Sequence, residues 1–496
     1  MRFLRVLPAL SALLVATPVL SQQECPVNVT QPLVLGQAGL MIARISQMEG
    51  SPDAPKALRE GMKFLLDEKK VAGNPVGTGF LKAQIYVLWM HQPGIGATIT
   101  NELLGIKGVK TDKVNLLNAT DSLLRAVEAL APSCTAETAP WRGAKPWTER
   151  INTAYTFLGA DAVDSAEFYA KESAQLNPTS PFVHNMFAQI ANKRGDVPTM
   201  LAHLRLAIAE AAKDTSIAET QSQMQFQLAQ TAQSYAKEGG AAQKAALNAE
   251  AIALFTMLLA QSPGTNEGAY AFSAASEIVS LDQDSSAART LLAPLVANPT
   301  AYSDLTLILA ADVARSFSRS PDAITLFVGA LAKNPNIRDA NYFLAYLYYE
   351  AKQPDKMLPL TDKLMAIDPS NGDNYLMRAY AYSLMAGAER DVKKKAELQK
   401  LQDQFQGRET TLSAQQRLVI TRFERRTDGA VLEGTIENFA KTVRTFSLKM
   451  EFLGMDGNVL ETATQEVAAV KTGERGKFAF APTKAGIVAY RYEALK

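Results

Sequence analysis

Few residues in this chain could do chemistry, and their spacing narrows what that chemistry is. Three histidines, His91, His184 and His203, are scattered, and none has a second ligand-type residue three or four positions away. A zinc or other transition-metal site is therefore not expected. Two cysteines, Cys25 and Cys134, have no histidine beside them in sequence to draw off a proton, which argues against a catalytic thiol. No Gly-x-Ser-x-Gly elbow, Walker loop or His-Glu-x-x-His pair occurs. Gly94-Ile95-Gly96 lacks a further glycine and reads as a plain turn. Gly473-Glu474-Arg475-Gly476-Lys477 lacks the following hydroxyl residue and reads as a hairpin. The pattern left over suits recognition. Tyr342, Tyr346 and Tyr349 stand at i, i+4 and i+7, which places three phenols on one helical stripe. Such a stripe offers apolar area with polar tips, as interfaces prefer.

The elements that would hold this stripe show themselves through an internal period. Ala154 and Ala188 are 34 residues apart, and Ala311, Ala345 and Ala379 repeat the same step. Pro263, Pro299, Pro335 and Pro369 keep similar time. A period of about 34 residues fits a helix–turn–helix unit that buries its apolar face against its neighbours. From about Trp147 to Phe405 the chain resembles the tetratricopeptide repeat family in about seven units. The unit from Asp304 to Ile337 places Ala311, Ala314, Ala323, Phe327, Ala330 and Pro335 where the family has them. The next, Arg338 to Asn371, has Met357 at a usual alanine position and ends on Asp368-Pro369-Ser370. Between Lys237 and Asn248 an insertion is expected. The charged stretch Glu389 to Gln404, with Arg390, Lys393, Lys394, Lys395 and Lys400, reads as a solvated helix face closing the array.

The resemblance implies a binding groove lined by first helices. Its inward positions fall on Asp339, Tyr342, Tyr346, Tyr349 and Glu350, then Leu376 and Tyr380, and upstream on Phe182, Asn185, Gln189, Asn192 and Lys193. The other reading of the tyrosines is packing against a neighbouring helix or the C-terminal domain.

Outside the repeats the signals change. Arg2 and Arg5 precede an apolar stretch from Val6 to Leu20 with a small-residue cleavage site near Ser21, so 1–21 reads as a signal peptide. The apolar run is short for a membrane span, and no later segment reaches that length without charges. The mature chain is expected to be periplasmic or secreted, with no integral membrane segment and no lipid anchor. In an oxidising compartment Cys25 and Cys134 read as one disulfide; two buried free thiols are the alternative. Residues 22–146 read as divergent helical pairs, with the glycine- and proline-rich stretch Gly73 to Gly79 between helices and Trp141 and Trp147 at the junction. From 407 to 496 the apolar period drops to two, and about seven short strands separated by turns fit an immunoglobulin-like sandwich. Gly434 to Asn438, Phe452 to Gly457 and Thr472-Gly473-Glu474 resemble bacterial FxLYD-type domains, with Met455 where a tyrosine is usual.

The fold expected is mainly α: a tetratricopeptide-type solenoid followed by a small all-β domain. A hydrophobic content of 47% and a charged fraction of 20% are those of an ordinary globular chain. A net charge of +1 leaves no concentrated basic surface for nucleic acid. No cofactor and no enzymatic activity are expected. The function read from the sequence is an exported scaffold that binds a protein or peptide segment in the concave groove. Carbohydrate or small-ligand capture, or a spacer presenting the β domain, are the alternatives.

Overall fold

A computed structural model of the 496-residue chain describes residues 25–27, 29–46 and 51–495. The expected signal peptide at 1–21 lies outside them. Among the described residues the chain is mainly helical, with 21 α-helices and two small groups of antiparallel sheet. It divides between Gln227 and Leu228 into two compact units.

The first unit opens with α1 (Leu33–Ser46), α2 (Ala54–Leu65), α3 (Glu68–Val71) and α4 (Pro75–Met90). A small antiparallel pair, β1 (Thr98–Thr100) and β2 (Lys113–Asn115), encloses α5 (Asn101–Leu104) and leads to α6 (Leu116–Leu130) and α7 (Thr135–Arg142). Of the expected linker at Gly73 to Gly79, Gly73 and Asn74 do connect α3 to α4, and from Pro75 on it is the start of α4. Asn74 caps it by accepting from the Gly77 N–H at 2.7 Å, and proline follows at the first helical position. Gly79 serves helix packing: a Cβ there would lie 3.1 Å from the Val127 side chain of α6. Cys25 and Cys134 form a disulfide across 109 residues, seated among Phe80, Leu124 and Val127. Two hairpins follow, α8 (Lys145–Gly159) with α9 (Val163–Leu176), and α10 (Pro181–Lys193) with α11 (Val197–Ala211). Arg142 ties the leading helices to them. Its guanidinium donates to Glu128 and Asp121 on α6 at 3.0 Å and to the Leu176 carbonyl of α9 at 3.1 Å. Trp147 packs against two of the hydrophobic cores of this unit.

Helix α12 (Ala218–Ala236) crosses into the second unit, which continues with α13 (Ala241–Gln261), α14 (Asn266–Asp282) and α15 (Ser285–Ala297). Then come α16 (Asp304–Ser316), α17 (Ser320–Lys333), α18 (Arg338–Glu350), α19 (Pro354–Ile367), α20 (Gly372–Ala388) and α21 (Val392–Ser413). Most of the insertion expected at 237–248 is the first part of α13. Its alanine-rich sequence favours helix, and Lys244 and Asn248 reach Asp282 of α14 at 2.7 and 2.6 Å. Helix α21 also runs past the expected boundary at 406/407 to Ser413, with Gly407 in its interior.

The alanines of the period sit where helices cross. Ala154, Ala188, Ala311 and Ala345 are 0% exposed and Ala379 2%, so a larger side chain would push the pairs apart. Between the helices of five hairpins one residue takes a left-handed conformation: Asp161, Gly195, Gln283, Ser318 and Lys352, with φ from 51° to 71°. After each, the next N–H bonds back to the carbonyl five residues earlier, as Gln353 does to Tyr348 at 2.8 Å. This is the Schellman ending of a helix, made here mostly without glycine.

After α21 come β3 (Gln416–Arg426), β4 (Gly429–Asn438), β5 (Arg444–Leu453), β6 (Val459–Val470), β7 (Arg475–Phe480) and β8 (Ala489–Tyr492). They make six strands where about seven were expected, in two three-stranded antiparallel sheets ordered β3-β4-β7 and β6-β5-β8. Leu432, Ile436 and Phe478 of one sheet share a core with Phe446, Leu448 and Phe452 of the other. The loop at Gly473 joins strands of different sheets, so the hairpin expected there is a crossover. Asp428-Gly429 and Asp456-Gly457 do form hairpins, β3 to β4 and β5 to β6.

Candidate functional site: a cleft beside the tyrosine stripe

The site is built where the two sheets of the second unit meet its helices. Arg425 of β3 makes a two-pronged ion pair with Asp304, the first residue of α16, at 3.0 and 2.8 Å. Asn334 donates to the same carboxylate at 3.2 Å and to the Val488 carbonyl at 3.4 Å. The Tyr492 hydroxyl of β8 donates to Asp368 and accepts from the Ser370 N–H, while the Leu495 N–H donates to the Ser370 hydroxyl at 2.8 Å. Asp368-Pro369-Ser370, read from sequence as a helix stop, is therefore also a docking point. The β5–β6 turn comes so close that a Cβ on Gly457, at φ +80°, would lie 2.9 Å from the Asn336 side chain.

Burial pushes the Asp368 carboxyl up, against the pull of the Arg338 guanidinium 3.0 Å away. Burial also works against the Arg338 charge, but the carboxylates of Asp368 and Asp339 outweigh it and hold the group charged. Burial, reinforced by the Asp368 charge, raises the Tyr492 phenol well above its ordinary range.

Between this docked sheet and the helices lies a cleft of about 660 Å³. Nine consecutive residues of β3, Arg417 to Arg425, form one wall. The opposite wall comes from α16, with Leu305 and Ile308, and from the N-terminal ends of α18 and α20, with Asp339 and Asp373.

From Asp339 the stripe runs along α18. Tyr342 is half-buried under Arg338, whose guanidinium carbon lies 4.9 Å from the ring centre. Tyr346 is 41% and Tyr380 38% exposed. Tyr349 stacks on Tyr380 of α20 with ring centres 5.1 Å apart, and Leu376 is partly buried one turn before Tyr380. Glu350, at the exposed end, accepts a hydrogen bond from Tyr346; this bond and the carboxylate charge raise the Tyr346 phenol. Tyr342 is raised by burial and then by the Asp373 charge. The Asp339 end of the stripe lines the cleft beside the docked sheet, and its Tyr346–Tyr380 end is open.

Three of the upstream groove positions have partners within their own unit, while Gln189 is half-buried and Asn192 exposed. Phe182 packs on Trp147 with centres 6.4 Å apart, Asn185 donates to the Tyr155 hydroxyl at 3.4 Å, and Lys193 reaches Asp161 at 2.8 Å. His184 and His203, distant in sequence, stack with centres 5.7 Å apart. Among the described residues the one trio with metal-ligand geometry is Cys25, Cys134 and Glu137, and its two sulfurs are bonded to each other. No described helix is long and apolar enough to cross a membrane.

Comparison with known proteins gives no matching family model and no matching curated protein. Solved structures do show likeness. An assembly chaperone of RpL4, Acl4 (residues 1–338), is 18% identical over 49% of this chain and 98% of its own, with a TM-score of 0.26. A tetratricopeptide repeat protein from Parabacteroides merdae is 15% identical over 52% and 100%, with a TM-score of 0.26. The TPR domain of P58(IPK) is 12% identical over 77% and 97%, with a TM-score of 0.16. Scores this low carry no argument. The tetratricopeptide-like reading rests on the hairpins, their buried alanines and their repeated turns.

Sequence reasoning missed Asp304, Arg425, Asp368, Ser370 and Tyr492 as the residues that shape the cleft. Only Asp368 and Ser370 carried any signal, through their place at a repeat end.

Proposed function

We propose that this chain is an exported, non-enzymatic scaffold that holds a segment of a partner protein along the α18–α20 face, with the docked two-sheet domain, FxLYD-like in its sequence, as the second wall. The observation that carries this reading is the open aromatic and acidic stripe, Asp339 to Glu350 with Tyr380, leading out of a roomy cleft. Tyrosines are among the residues that interfaces concentrate at their centres. The Cys25–Cys134 bond supports export, because disulfides persist in oxidising compartments.

The test is capture of partners from an envelope fraction by wild type and by Tyr346→Ala/Tyr380→Ala, with circular dichroism to show that both are folded. Loss of a partner from the folded variant supports the reading, and equal recovery from both removes this face as the site. Cell fractionation with N-terminal sequencing checks export: a chain retaining Met1 in the cytoplasm overturns that part.

A further inference from the structure

The cleft has one wall of a kind that helical repeats do not themselves provide. Strand β3 is an outer strand of its sheet, bonded on one side to β4. The Val419 carbonyl points at β4, since a Cβ on Gly434 would lie 2.5 Å from it. In antiparallel pairing a residue's N–H and C=O point the same way and the direction alternates along the strand. The pairing is regular from Gln416 to Ile420 and shifts between Ile420 and Arg422, so within the regular stretch Leu418 and Ile420 turn their main-chain groups away from β4, and both residues line the cleft. Among the described residues, no main-chain group of Arg417–Arg425 bonds anything beyond β4. An open strand edge is a template for another strand.

Charge selects the occupant. On the helix wall Arg338 lies over Tyr342. Its partner Asp339 faces outward, with its side chain 64% exposed. Asp373, also exposed on this wall, makes no ion pair among the described residues. On the strand wall two of the three cations are spent, Arg425 on Asp304 and Arg422 on Glu424 and Glu433, while Arg417 stands exposed at the far end of the wall from Arg425.

We propose that the free edge of β3 takes up an extended segment of a partner protein as an added strand, with lysine or arginine at alternate positions turned to Asp339 and Asp373. This rests on the scaffold reading above and specifies how the segment is held. Main-chain bonds to β3 supply register, and the alternation of a strand puts every second side chain on the carboxylate wall.

The probe is a fluorescein-labelled nonapeptide, (Lys-Thr)4-Lys, titrated against the full chain and compared with (Glu-Thr)4-Glu. Two further versions carry N-methyl groups on either the lysine or the threonine amides. The lysine peptide is expected to bind, the glutamate peptide to bind at least tenfold more weakly, and one N-methylated set to lose about tenfold while the other does not. Asp339→Asn/Asp373→Asn should weaken the lysine peptide roughly fivefold. Hydrogen exchange at the Leu418 and Ile420 amides should slow on binding, with Val419 unchanged.

No binding at millimolar peptide, or equal binding by both N-methylated sets, overturns the proposal. So does a dimer whose copies pair through β3, seen in the free protein by sedimentation. If Tyr346→Ala/Tyr380→Ala loses its partner while β3 exchange never changes, the scaffold reading stands and strand addition fails.

Discussion

Helices α10 and α18 occupy the same place in their repeats, yet the aromatic position of one is covered and that of the other is open. On α10 the preceding hairpin supplies Trp147, Tyr155 and Asp161, which take up Phe182, Asn185 and Lys193. On α18 the preceding hairpin supplies Arg315, which lies against Phe343 and leaves Tyr346 uncovered. A groove position in a repeat is thus only an opportunity. The neighbouring hairpin decides whether its side chain becomes core or surface.

Four experiments would break or sharpen this contrast. The largest effect is expected from reducing Cys25–Cys134, since opening a loop of about 100 residues should cost the first unit about 4 kcal/mol. Trp89, Trp141 and Trp147 are the chain's three tryptophans and all lie in that unit, so their fluorescence in urea reads its unfolding alone. An unchanged midpoint would mean that the closed region is held by packing without the staple.

Arg425→Ala comes next. It leaves the Asp304 carboxylate, 4% exposed, without its cation, and removing one partner of a buried pair costs about 3 kcal/mol or more. Limited proteolysis should then cut between α21 and β3, where wild type resists. Continued resistance would show that the cleft wall does not depend on this pair.

The third experiment sets the two faces against each other. Phe182→Ala should lower first-unit stability by about 1–2 kcal/mol through lost burial and ring contact. Tyr346→Ala should stay within about 0.5 kcal/mol, as exposed positions do. Similar losses from both would dissolve the distinction.

The smallest effect concerns pH. Burial lowers both His184 and His203, and the positive form of each ring disfavours the other at His203, while Glu210 and the Pro178 carbonyl pull His184 back up. Glu167, Lys171, Arg194 and Asp196 stand around His203. A histidine held below its unfolded value of about 6.5 binds fewer protons when folded. Stability of the first unit is therefore complete above that pH and falls as pH drops below it. Urea midpoints at pH 7.5 and 5.0 should show the fall, and His203→Phe should flatten it. An equal slope in the variant would assign the dependence to other groups.

The sequence by itself determined the repeat. Small residues at a fixed period must sit at helix crossings, because only they let two helices approach, so Ala311, Ala345 and Ala379 were legible one by one. It also determined the change to strands after the helices and the pairing of the two cysteines as the favoured reading. Local composition misled where packing overrode it. Most of the Gly73–Gly79 stretch became part of α4, where α6 leaves no room for a side chain at Gly79, and Gly407 stayed inside α21 because the surrounding turns favour helix.

Only the tertiary structure decided the site. The docking pairs Arg425–Asp304 and Tyr492–Asp368 join residues more than 120 positions apart. No local pattern announces such a pair, because its worth comes from burial that exists only once the sheet has closed on the helices. The left-handed turns at Asp161, Gln283, Ser318 and Lys352 were hidden for a related reason. Their strain of about 1 kcal/mol each is outweighed by hairpin packing, so the chain has no need to announce them with glycine.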